Sequence, residues 1–392
     1  MSLPCHARSF CNRPLMWLAA VAVTAGLAAP AAQAQSVFYT EVARFTLSTA
    51  RPTEFGTNAS AIAWDGSKMY VAGYNASGGT APVGILEVTN ATATGINAAT
   101  FGTVFGEFSA TGNTRGYSGL DISGSTLAAA YDAGSASADG IAAYDSAGTR
   151  LWGINARGGS GVAFDPGFNT PPVQGNGVAW TTFGSGRRAL QNAADGSNIY
   201  TTGDGMIINT TSGDTGNGTF WRDMAFDPQT GDLYPRRSNG IFKETRTGAN
   251  SVSPIQEIVP AAASANFVSG QNIAFMGQNP LLADSVIYND RGSTGGGQIF
   301  TDVIKTRDAN TFAELSQNFS FLDSTVPAPG SGYYDFSYDT ATNTVAILDF
   351  GNNTAHVFDV SAVPEPTTWA LLGTVGITAG LAALRRGWKP RA

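Results

Sequence analysis

The segment Ile62-Ala63-Trp64-Asp65-Gly66-Ser67-Lys68-Met69-Tyr70-Val71 decides the fold of this chain. Two apolar runs flank a short polar centre that begins with Asp and Gly. Asp favours a tight turn because its carboxylate bonds a nearby backbone N–H, and Gly accepts positive φ. Alternating apolar residues on either side predict two strands, each with one buried face. The segment therefore predicts a β-hairpin.

The same pattern recurs along the chain. The copies are Val162-Ala163-Phe164-Asp165-Pro166, residues 224–234, residues 336–347, weaker ones that begin at Leu120 and Ile273, and residues 195–200, which repeat residues 65–70 at four of six positions. The turns stand at positions 65, 123, 165, 195, 227, 276 and 339, on average about 46 residues apart. That spacing is typical of β-propeller blades, which repeat every 40 to 50 residues or so. Residues 140–152 resemble the outer half of a four-stranded blade.

Composition agrees with an all-β fold. The 392 residues include 48 Gly, only 13% are charged and 43% are hydrophobic, so the chain has enough apolar surface to fold. We predict a single β-propeller of six to eight blades, with seven preferred. An early strand pairs with residues 354–360 to close the ring and hide the sheet edges. Two β-sandwiches are the alternative, and a β-helix is less compatible because its repeats are shorter and more regular.

Residues 1–34 have the order of a secretory signal peptide. Arg8 and Arg13 precede an uncharged run over residues 14–30. Ala32-Gln33-Ala34 then forms a small-residue cleavage site, and the signal peptidase is expected to cut after Ala34. The apolar stretch of residues 15–29 would span about 22 Å as a helix, short of the hydrocarbon core of about 30 Å. Export is therefore predicted, and a retained membrane anchor is the alternative.

Cleavage would change the chemical inventory of the chain. Cys5, Cys11 and His6 would be lost, and His356 would be the one remaining histidine. Disulfides, a thiolate nucleophile, a Cys-ligated zinc and a multi-His metal site are then excluded from the mature chain. Because 20 basic and 29 acidic residues would remain, the mature chain would carry a net charge of −9. An acidic chain repels phosphate backbones, so nucleic acid is not an expected partner.

A second apolar segment lies near the C-terminus. Residues 367–384 are uncharged and would span about 27 Å as a helix, enough to cross a bilayer. Val363-Pro364-Glu365-Pro366 precedes this segment, and residues 385–391 include four basic side chains. The basic tail favours a cytoplasmic end, which places residues 35–366 outside. An ordinary C-terminal anchor is one interpretation of this arrangement.

The same three parts, in this order, resemble the PEP-CTERM sorting signal of Gram-negative bacteria. The resemblance covers about 30 residues and implies that Pro364, Glu365 and Pro366 are recognised by an exosortase, a membrane-bound processing enzyme. Arg385 and Arg386 begin the basic tail of that signal. The implied domain organisation is a signal peptide over 1–34, a propeller body over 35–361 and a sorting signal over 362–392, with its transmembrane helix at 367–384 and its tail at 385–392. Before processing, the C-terminal helix would hold the protein in the membrane.

Few residues suggest catalysis. His356 is predicted to share one face of a terminal strand with Phe358. The sequence has no Gly-x-Ser-x-Gly motif to supply a nucleophilic serine. A packed or exposed side chain is therefore a simpler interpretation of His356 than a general base. Carboxylates are the abundant acid–base groups, and they form four candidate pairs, for catalysis or a calcium cage: Asp132 with Asp139, Asp204 with Asp214, Asp223 with Asp227, and Asp284 with Asp290. Because Gly, Ser, Asn and Thr are frequent around these residues, turn formation is the ordinary explanation for them.

Three further features have ordinary structural interpretations. Residues 291–298 are Gly-rich but lack the ending of a phosphate-binding loop, which indicates a hairpin loop. The pairs Arg187-Arg188 and Arg236-Arg237 would suit acidic sugars but are expected at the solvated surface. Trp64, Trp152, Trp180 and Trp221 would stack on sugar rings but are expected to fill the core.

Together these features predict an exported, exosortase-processed protein without enzymatic activity, located at the cell surface or in secreted matrix. Its propeller loops would bind polysaccharide or protein. No cofactor is expected, although a structural calcium ion remains open. The alternative is an extracellular carbohydrate-active hydrolase or lyase that uses Asp pairs.

Overall fold

The computed structural model describes residues 35–47, 56–75, 82–109, 116–132, 140–155, 159–168, 177–182, 188–199, 221–237, 240–248, 251–253, 256–260, 272–277, 282–290, 300–328 and 332–364. All of them except Pro364 belong to one compact unit, Gln35–Val363. These residues contain 26 strands and one four-residue helix, α1 (Phe300–Val303), so the described part of the chain is all-β.

The first half of the described chain contributes thirteen strands. They are β1 (Gln35–Thr46), β2 (Asn58–Trp64), β3 (Met69–Tyr74), β4 (Pro82–Val88), β5 (Gly95–Ile96), β6 (Phe101–Ser109), β7 (Gly116–Ser123), β8 (Thr126–Asp132), β9 (Gly140–Asp145), β10 (Arg150–Asn155), β11 (Gly159–Asp165), β12 (Gly177–Thr182) and β13 (Arg188–Asn192).

The second half contributes the other thirteen. They are β14 (Trp221–Phe226), β15 (Leu233–Arg237), β16 (Gly240–Lys243), β17 (Arg246–Gly248), β18 (Ser251–Val252), β19 (Gln256–Pro260), β20 (Ile273–Met276), β21 (Ser285–Asn289), β22 (Ile304–Asp308), β23 (Ser316–Ser320), β24 (Tyr334–Asp339), β25 (Thr344–Asp349) and β26 (Thr354–Pro364).

Antiparallel sheets follow one another along the chain. Sheet 1 contains β2, β3, β4 and β6, and sheet 2 contains β7 to β10; one backbone ladder pair, Tyr74–Gly116, links the two. Sheet 3 contains β11 to β13, sheet 4 contains β14, β15, β16 and β19, and sheet 5 contains β20 to β22. The two strands β17 and β18 form a separate ribbon. The sheet that includes residues 140–152 has the expected order, with β9 and β10 outside β7 and β8.

Sheet 6 joins the two ends of the described chain. Its order is β24, β25, β26, β1 and β23, and β23 runs parallel to β1. The N-terminal strand β1 therefore lies beside the C-terminal strand β26. This confirms the predicted pairing of an early strand with residues 354–360.

The hydrophobic core is divided among the spaces between sheets. The described residues form six clusters of buried apolar side chains. Five of these clusters lie between sheets that are consecutive along the chain, and the sixth lies between sheets 6 and 1. The cluster between sheets 6 and 1, for example, contains Ile62, Val71 and Val357. The described sheets thus pack face to face in a closed circle, which is a propeller-like arrangement.

The inner strands differ from the sequence prediction in one respect. Alternation predicted one buried face for each strand, but β2 is buried along nearly its whole length. Ala61 and Ala63 pack towards sheet 2, whereas Ile62 and Trp64 pack towards sheet 6. The prediction was wrong because each sheet lies between two others, so both of its faces exclude water.

The turns after the first strands form as predicted. Oδ1 of Asp65 accepts hydrogen bonds from the backbone N–H groups of Ser67 and Lys68 at 2.9 and 2.6 Å, and Gly66 has φ of +81°. Residues 195–200 are the exception among the repeats. Asp195 lies in a turn that follows β13, the third strand of sheet 3, so this copy does not begin a new sheet.

Candidate functional site

A cavity of about 280 Å³ lies at the centre of the described ring. It is lined by the first strands of all six sheets, β2, β7, β11, β14, β20 and β24, and by turn residues that follow them, such as Pro228 and Thr340. The hairpin repeat found in the sequence therefore builds the wall of one concave site. We take this cavity as the candidate functional site.

Four Asp side chains stand in the cavity wall: Asp165, Asp223 and Asp335 are buried, and Asp121 is half-buried. Three of them connect neighbouring sheets. Asp121, Asp223 and Asp335 lie on β7, β14 and β24, the first strands of sheets 2, 4 and 6. Each accepts a hydrogen bond from a backbone N–H on the first strand of the next sheet around the circle. The bonds are Phe164 N–H to Asp121 Oδ2 at 2.7 Å, Ile273 N–H to Asp223 Oδ2 at 3.0 Å, and Ile62 N–H to Asp335 Oδ2 at 2.7 Å. The carboxyls therefore connect neighbouring sheets.

Two of these carboxyls also bond their own strand. Oδ1 of Asp121 accepts from Ile122 N–H at 2.9 Å, and Oδ1 of Asp335 accepts from Phe336 N–H at 2.7 Å. Hydrogen bonds to the charged form lower a carboxyl pKa, whereas burial raises it. Burial prevails here: it raises the pKa of Asp121 to about 6 and that of Asp335 to about 7. Burial, reinforced by the charge of Asp335, raises the pKa of Asp223 well above its usual range.

The other three junctions between sheets use different groups. The Ser60 hydroxyl donates to the Tyr117 carbonyl at 2.7 Å between sheets 1 and 2, and the Asn289 amide donates to the Gly332 carbonyl at 3.1 Å between sheets 5 and 6. Between sheets 3 and 4, a Cβ on Gly161 would lie 2.7 Å from the Asp223 Cα, so only Gly permits that approach. Carboxyl junctions thus alternate with other junctions around the described circle.

Aromatic side chains complete the cavity wall. Four of them directly precede the Asp of a repeat turn: Trp64, Phe164, Phe226 and Tyr338. Phe275 occupies the equivalent position in β20, and Phe336 is a second aromatic residue of β24. Phe164 and Tyr338 are partly exposed, and the rest are buried. The cavity thus combines acidic groups with aromatic surface.

Asn272 lies beside the carboxyl group of Asp335. It is 1% exposed, and its amide is close enough to favour the charged form of Asp335 and lower that pKa. Even so, within the described part of the chain neither its amide oxygen nor its amide nitrogen has a well-formed hydrogen-bond partner. A buried amide with an unused donor and acceptor costs free energy unless a further partner is bound.

The predicted carboxylate pairs are not brought together. Asp223 lies in the cavity wall, whereas Asp227 follows the end of β14 and bonds the turn residues Gln229 and Thr230. Asp284 and Asp290 flank the five-residue strand β21 and are therefore separated by its whole length, about 17 to 20 Å. These two pairs were wrong because each spans a strand instead of a turn. Asp139, Asp204 and Asp214 lie outside the described residues, so the pairs with Asp132 and between Asp204 and Asp214 stay predictions.

His356 is packed, as expected, and lies outside the cavity wall. It is 1% exposed, shares a face of β26 with Phe358, and its Nδ1 lies 2.7 Å from Oε1 of Glu41. Glu41 is buried and also accepts from Arg44. Burial opposes ionisation of Glu41, but the hydrogen bonds from His356 and Arg44 outweigh it, and the pKa of Glu41 is lowered. This cluster ties β1 to β26.

The arginine pair 236–237 differs from the prediction. Arg236 is 0% exposed and Arg237 is 6% exposed, so the expected solvated position is wrong for both. Arg236 donates to the main-chain carbonyls of Asn272 and Asn289, and Arg237 pairs with Glu244 at 3.4 Å. The expected burial of Trp64, Trp152 and Trp180 is confirmed.

Several predicted segments fall outside the described residues or at their edge. These are the signal cleavage residues Ala32 and Ala34, the sorting residues Glu365, Pro366, Arg385 and Arg386, Arg187, and the Gly-rich residues 291–298. Pro364 is described only as the last residue of β26. Within the described ranges, no helix is long and apolar enough to cross a membrane, and no three His, Cys, Asp or Glu side chains are grouped around a metal position.

Sequence reasoning missed Asp121, Asp335 and Asn272. One signal was available for Asp335, because it precedes the turn residue Asp339 by four positions, as Asp223 precedes Asp227. Asp121 and Asn272 lack such a turn Asp, so no comparable signal marks them.

Comparisons with known proteins give distant likenesses. No family model matches the chain, and no curated protein sequence matches it. One similar solved structure is the Cps50 (Swd1) β-propeller domain of Myceliophteria thermophila, at 11% identity over 77% of this chain and 84% of that chain, with a TM-score of 0.40. Another is an auxiliary nutrient binding protein from Bacteroides thetaiotaomicron VPI-5482, at 10% identity over 79% and 70% of the two chains, with a TM-score of 0.45. Both likenesses are too distant to bear on function.

Proposed function

We propose that this chain is an exported, exosortase-processed protein without enzymatic activity that binds polysaccharide or another protein at the cell surface or in secreted matrix. Residues 1–34, which resemble a signal peptide, support export. The Pro-Glu-Pro segment, followed by an apolar stretch and a basic tail, supports sorting. The body would span residues 35–361. Because β26 ends at Pro364, a cut within or beyond the triplet would leave the closing strand intact.

We also propose a six-bladed propeller for the body. Six first strands line the cavity, and six core clusters separate the described sheets. Six is the lower limit of the range expected from the repeats. The preferred value of seven counted the turn at Asp195, which does not begin a sheet. A seventh blade would have to come from residues outside the described ranges.

One observation carries the binding function: the cavity carboxyls are engaged by the main chain. Both carboxyl oxygens of Asp121 and of Asp335 accept backbone N–H groups, which fixes their orientation and holds neighbouring sheets together. A rigid, concave wall of this kind suits ligand binding. Turn residues at its rim, such as Pro228 and Thr340, would extend the contact surface.

A carbohydrate-active hydrolase or lyase is the second candidate. Four carboxyls line one concave site, and the raised pKa of Asp335, about 7, is that of a group able to donate a proton near neutral pH. For such an enzyme, the candidate catalytic residues are Asp121, Asp223 and Asp335 instead of the pairs proposed from the sequence.

Glycan-array binding and glycan depolymerisation by the full-length protein separate the two candidates. Binding without any release of reducing ends or unsaturated products supports the binding protein. Turnover that the Asp335→Asn variant lowers at least 100-fold supports the enzyme. The Asp145→Asn variant is the control, because Asp145 also accepts two backbone N–H groups but lies at the end of β9, outside the cavity wall.

Sorting is tested separately. Alanine at Pro364, Glu365 and Pro366 should prevent the C-terminal processing of the protein, as measured by the mass and location of the mature chain in its host. Replacement of Thr367 and Thr368 with alanine is the control. Unchanged processing of the triple variant would contradict the proposed exosortase partner.

A further inference from the structure

We propose that two copies of this chain associate through the outer edge of sheet 6, by antiparallel pairing of β23 with β23 of the second copy. A two-fold axis at the middle of β23 would relate the two copies. The surface involved lies at the rim of the described ring. The proposal therefore goes beyond the proposed binding function and does not depend on the central cavity.

β23 is the outermost strand of sheet 6. Its residues 316–320 pair in parallel with residues 36–40 of β1 and with no other described strand. Exposure alternates along β23: Ser316, Asn318 and Ser320 are exposed, whereas Gln317 and Phe319 are half-buried. The backbone groups on the outer side of such a strand form a template for pairing with another chain. Within the described part of the chain, this edge is open.

A groove of about 420 Å³ lies along this strand. It occurs where the chain passes from sheet 5 to sheet 6: the Leu315 N–H still donates to the Thr306 carbonyl of β22 at 2.9 Å, whereas Ser316 already pairs with β1. Residues 317–321 line the groove together with Thr301, Ser324 and Val326. The groove gives a second strand room to approach β23.

The sequence of β23 lacks the residues that usually protect an edge strand. Proteins block pairing at sheet edges with charged side chains or Pro. The outermost strands of the other five described sheets all contain such residues: Glu107 in β6, Arg150 in β10, Arg188 in β13, Glu257 and Pro260 in β19, and Lys305, Arg307 and Asp308 in β22. β23, which reads Ser-Gln-Asn-Phe-Ser, contains none. Sheet 6 thus differs from the other described sheets in having an outer edge that permits pairing.

The strand is complementary to itself, which favours a second copy as the occupant. In an antiparallel pair centred on Asn318, this residue lies opposite Asn318 of the second copy, and Ser316 lies opposite Ser320. Amides and hydroxyls both donate and accept hydrogen bonds, so these exposed side chains can bond across the axis. Self-pairing of β22 about its central residue would instead place Lys305 opposite Arg307, and like charges directly opposite destabilise a sheet.

Exposed apolar side chains follow the strand. Four large apolar side chains of the described residues are exposed, and two of them, Leu322 and Val326, lie within six residues of the end of β23. A second copy at this edge would cover part of their surface and so add to the backbone hydrogen bonds. A five-residue edge is small beside the interface of about 800 Å² per partner that stable complexes bury, so we expect a dissociation constant in the micromolar range.

Sedimentation equilibrium of the full-length protein at micromolar concentrations tests the proposal. A non-ionic detergent covers the apolar residues 367–384 in every variant alike. We expect a monomer–dimer equilibrium for the wild-type chain. Asn318→Lys and Asn318→Asp should each weaken association at least tenfold, because each places two like charges at the axis. An equimolar mixture of the two variants should recover the wild-type association within threefold, because opposite charges then face one another. Recovery would also show that both variants fold.

Asn155→Lys is the matched control. Asn155 is likewise an exposed Asn on an outermost strand, β10 of sheet 2. This variant adds the same charge at a different edge, so it should leave the association within twofold of wild type. Glycan binding by Asn318→Lys should equal that of the wild-type chain, which keeps this test separate from that of the proposed function.

Several outcomes would overturn the proposal. A wild-type chain that stays monomeric, or an Asn318→Lys variant that associates as strongly as wild type, excludes β23 as a self-association surface. Failure of the mixed variants to associate, or growth beyond the dimer, excludes the two-fold pairing. A synthetic peptide of residues 314–322 identifies another occupant: if the wild-type chain is monomeric and binds this peptide but Asn318→Lys does not, the edge receives an extended strand of a different protein, and the second copy is wrong.

Discussion

At the level of single residues, the carboxyls of Asp121, Asp223 and Asp335 connect the sheets and also make stability depend on pH. The pKa of Asp335 is raised to about 7 in the folded chain, whereas an unfolded Asp titrates near 4. The folded state therefore binds more protons than the unfolded state between these values, and stability falls as the pH rises through this window. The contribution of Asp335 is fully present below about pH 4 and is lost above about pH 7.

The Asp335→Asn variant tests this dependence. An amide can accept only one of the two N–H bonds that Asp335 accepts, so at pH 5 the variant should be less stable than wild type by about 1 kcal/mol. At pH 8 the wild-type carboxyl must ionise in a buried position, so the deficit should shrink or reverse. Urea unfolding at both pH values measures the change. An Asp335→Asn deficit that is the same at pH 5 and pH 8 would contradict the raised pKa.

The pKa of Glu41 is shifted in the opposite direction from that of Asp335. Hydrogen bonds from His356 and Arg44 lower its pKa, so its contribution to stability is present at neutral pH and is lost on acidification. Glu41→Gln should destabilise the protein by about 3 kcal/mol at pH 7, because it removes the buried charge to which both His356 and Arg44 are bonded. Asp323→Asn removes the other, more exposed partner of Arg44 and should cost less than about 1 kcal/mol. Equal losses in urea unfolding would contradict this assignment.

At the level of elements, the turns after the first strands differ in what surrounds them. Gly66, between β2 and β3, has φ of +81°, and a Cβ there would lie 2.3 Å from the carboxylate of Asp339 in the turn of sheet 6. Gly124, between β7 and β8, has φ of +59°, and apart from its chain neighbours no atom of the described residues lies within 4 Å of such a Cβ. The first turn thus takes part in the junction between sheets 6 and 1, whereas the second is open.

Alanine at these two positions separates backbone strain from crowding. Gly124→Ala should cost about 1 kcal/mol, the usual penalty for a left-handed residue with a side chain. Gly66→Ala should cost about 2 to 3 kcal/mol, because it adds the displacement of Asp339 to the same strain. Chemical unfolding of both variants measures the difference. A smaller loss for Gly66→Ala than for Gly124→Ala would show that this junction does not depend on close approach.

The sequence predicted the hairpins well but the site poorly. A turn such as Asp65-Gly66 is made by neighbouring residues, so local chemistry suffices to recognise it. The carboxyls of Asp121 and Asp335 act between sheets, and the partner of Asp335 is Ile62, 273 residues away. Such contacts exist only after the ring closes, and a mid-strand Asp carries no local sign of them. The burial of Arg236 has the same cause, because its acceptors belong to sheet 5.

At the level of the whole molecule, the junctions indicate a repeat of two sheets. Carboxyls join sheets 2 to 3, 4 to 5 and 6 to 1, and the three Asp residues are 102 and 112 positions apart. The residues that donate to them, Ile62, Phe164 and Ile273, are separated by similar intervals of 102 and 109. The described ring is thus built from three units of two sheets. One such unit, sheets 6 and 1, contains both ends of the described chain.

That unit depends on β1, and its removal is the last prediction. Val37 and Tyr39 on β1 pack between sheets 5 and 6, whereas Phe45 on β1 and the adjoining Leu47 pack between sheets 6 and 1. A chain that lacks residues 1–47 would lose these contacts and leave the edge of β26 unpaired, and such an edge recruits strands from other molecules. A chain that lacks only residues 1–34 is the control, because it keeps β1.

We expect the control to unfold in one cooperative thermal transition and to sediment as a single species. The shorter chain should lose that cooperative transition, or melt at least 10 °C lower, and should associate as its concentration rises, because two core clusters are opened together. Calorimetry and analytical ultracentrifugation measure both effects. If the two chains melted at the same temperature and sedimented alike, β1 would not close the ring, and the cavity wall would have to be held together by the inner strands alone.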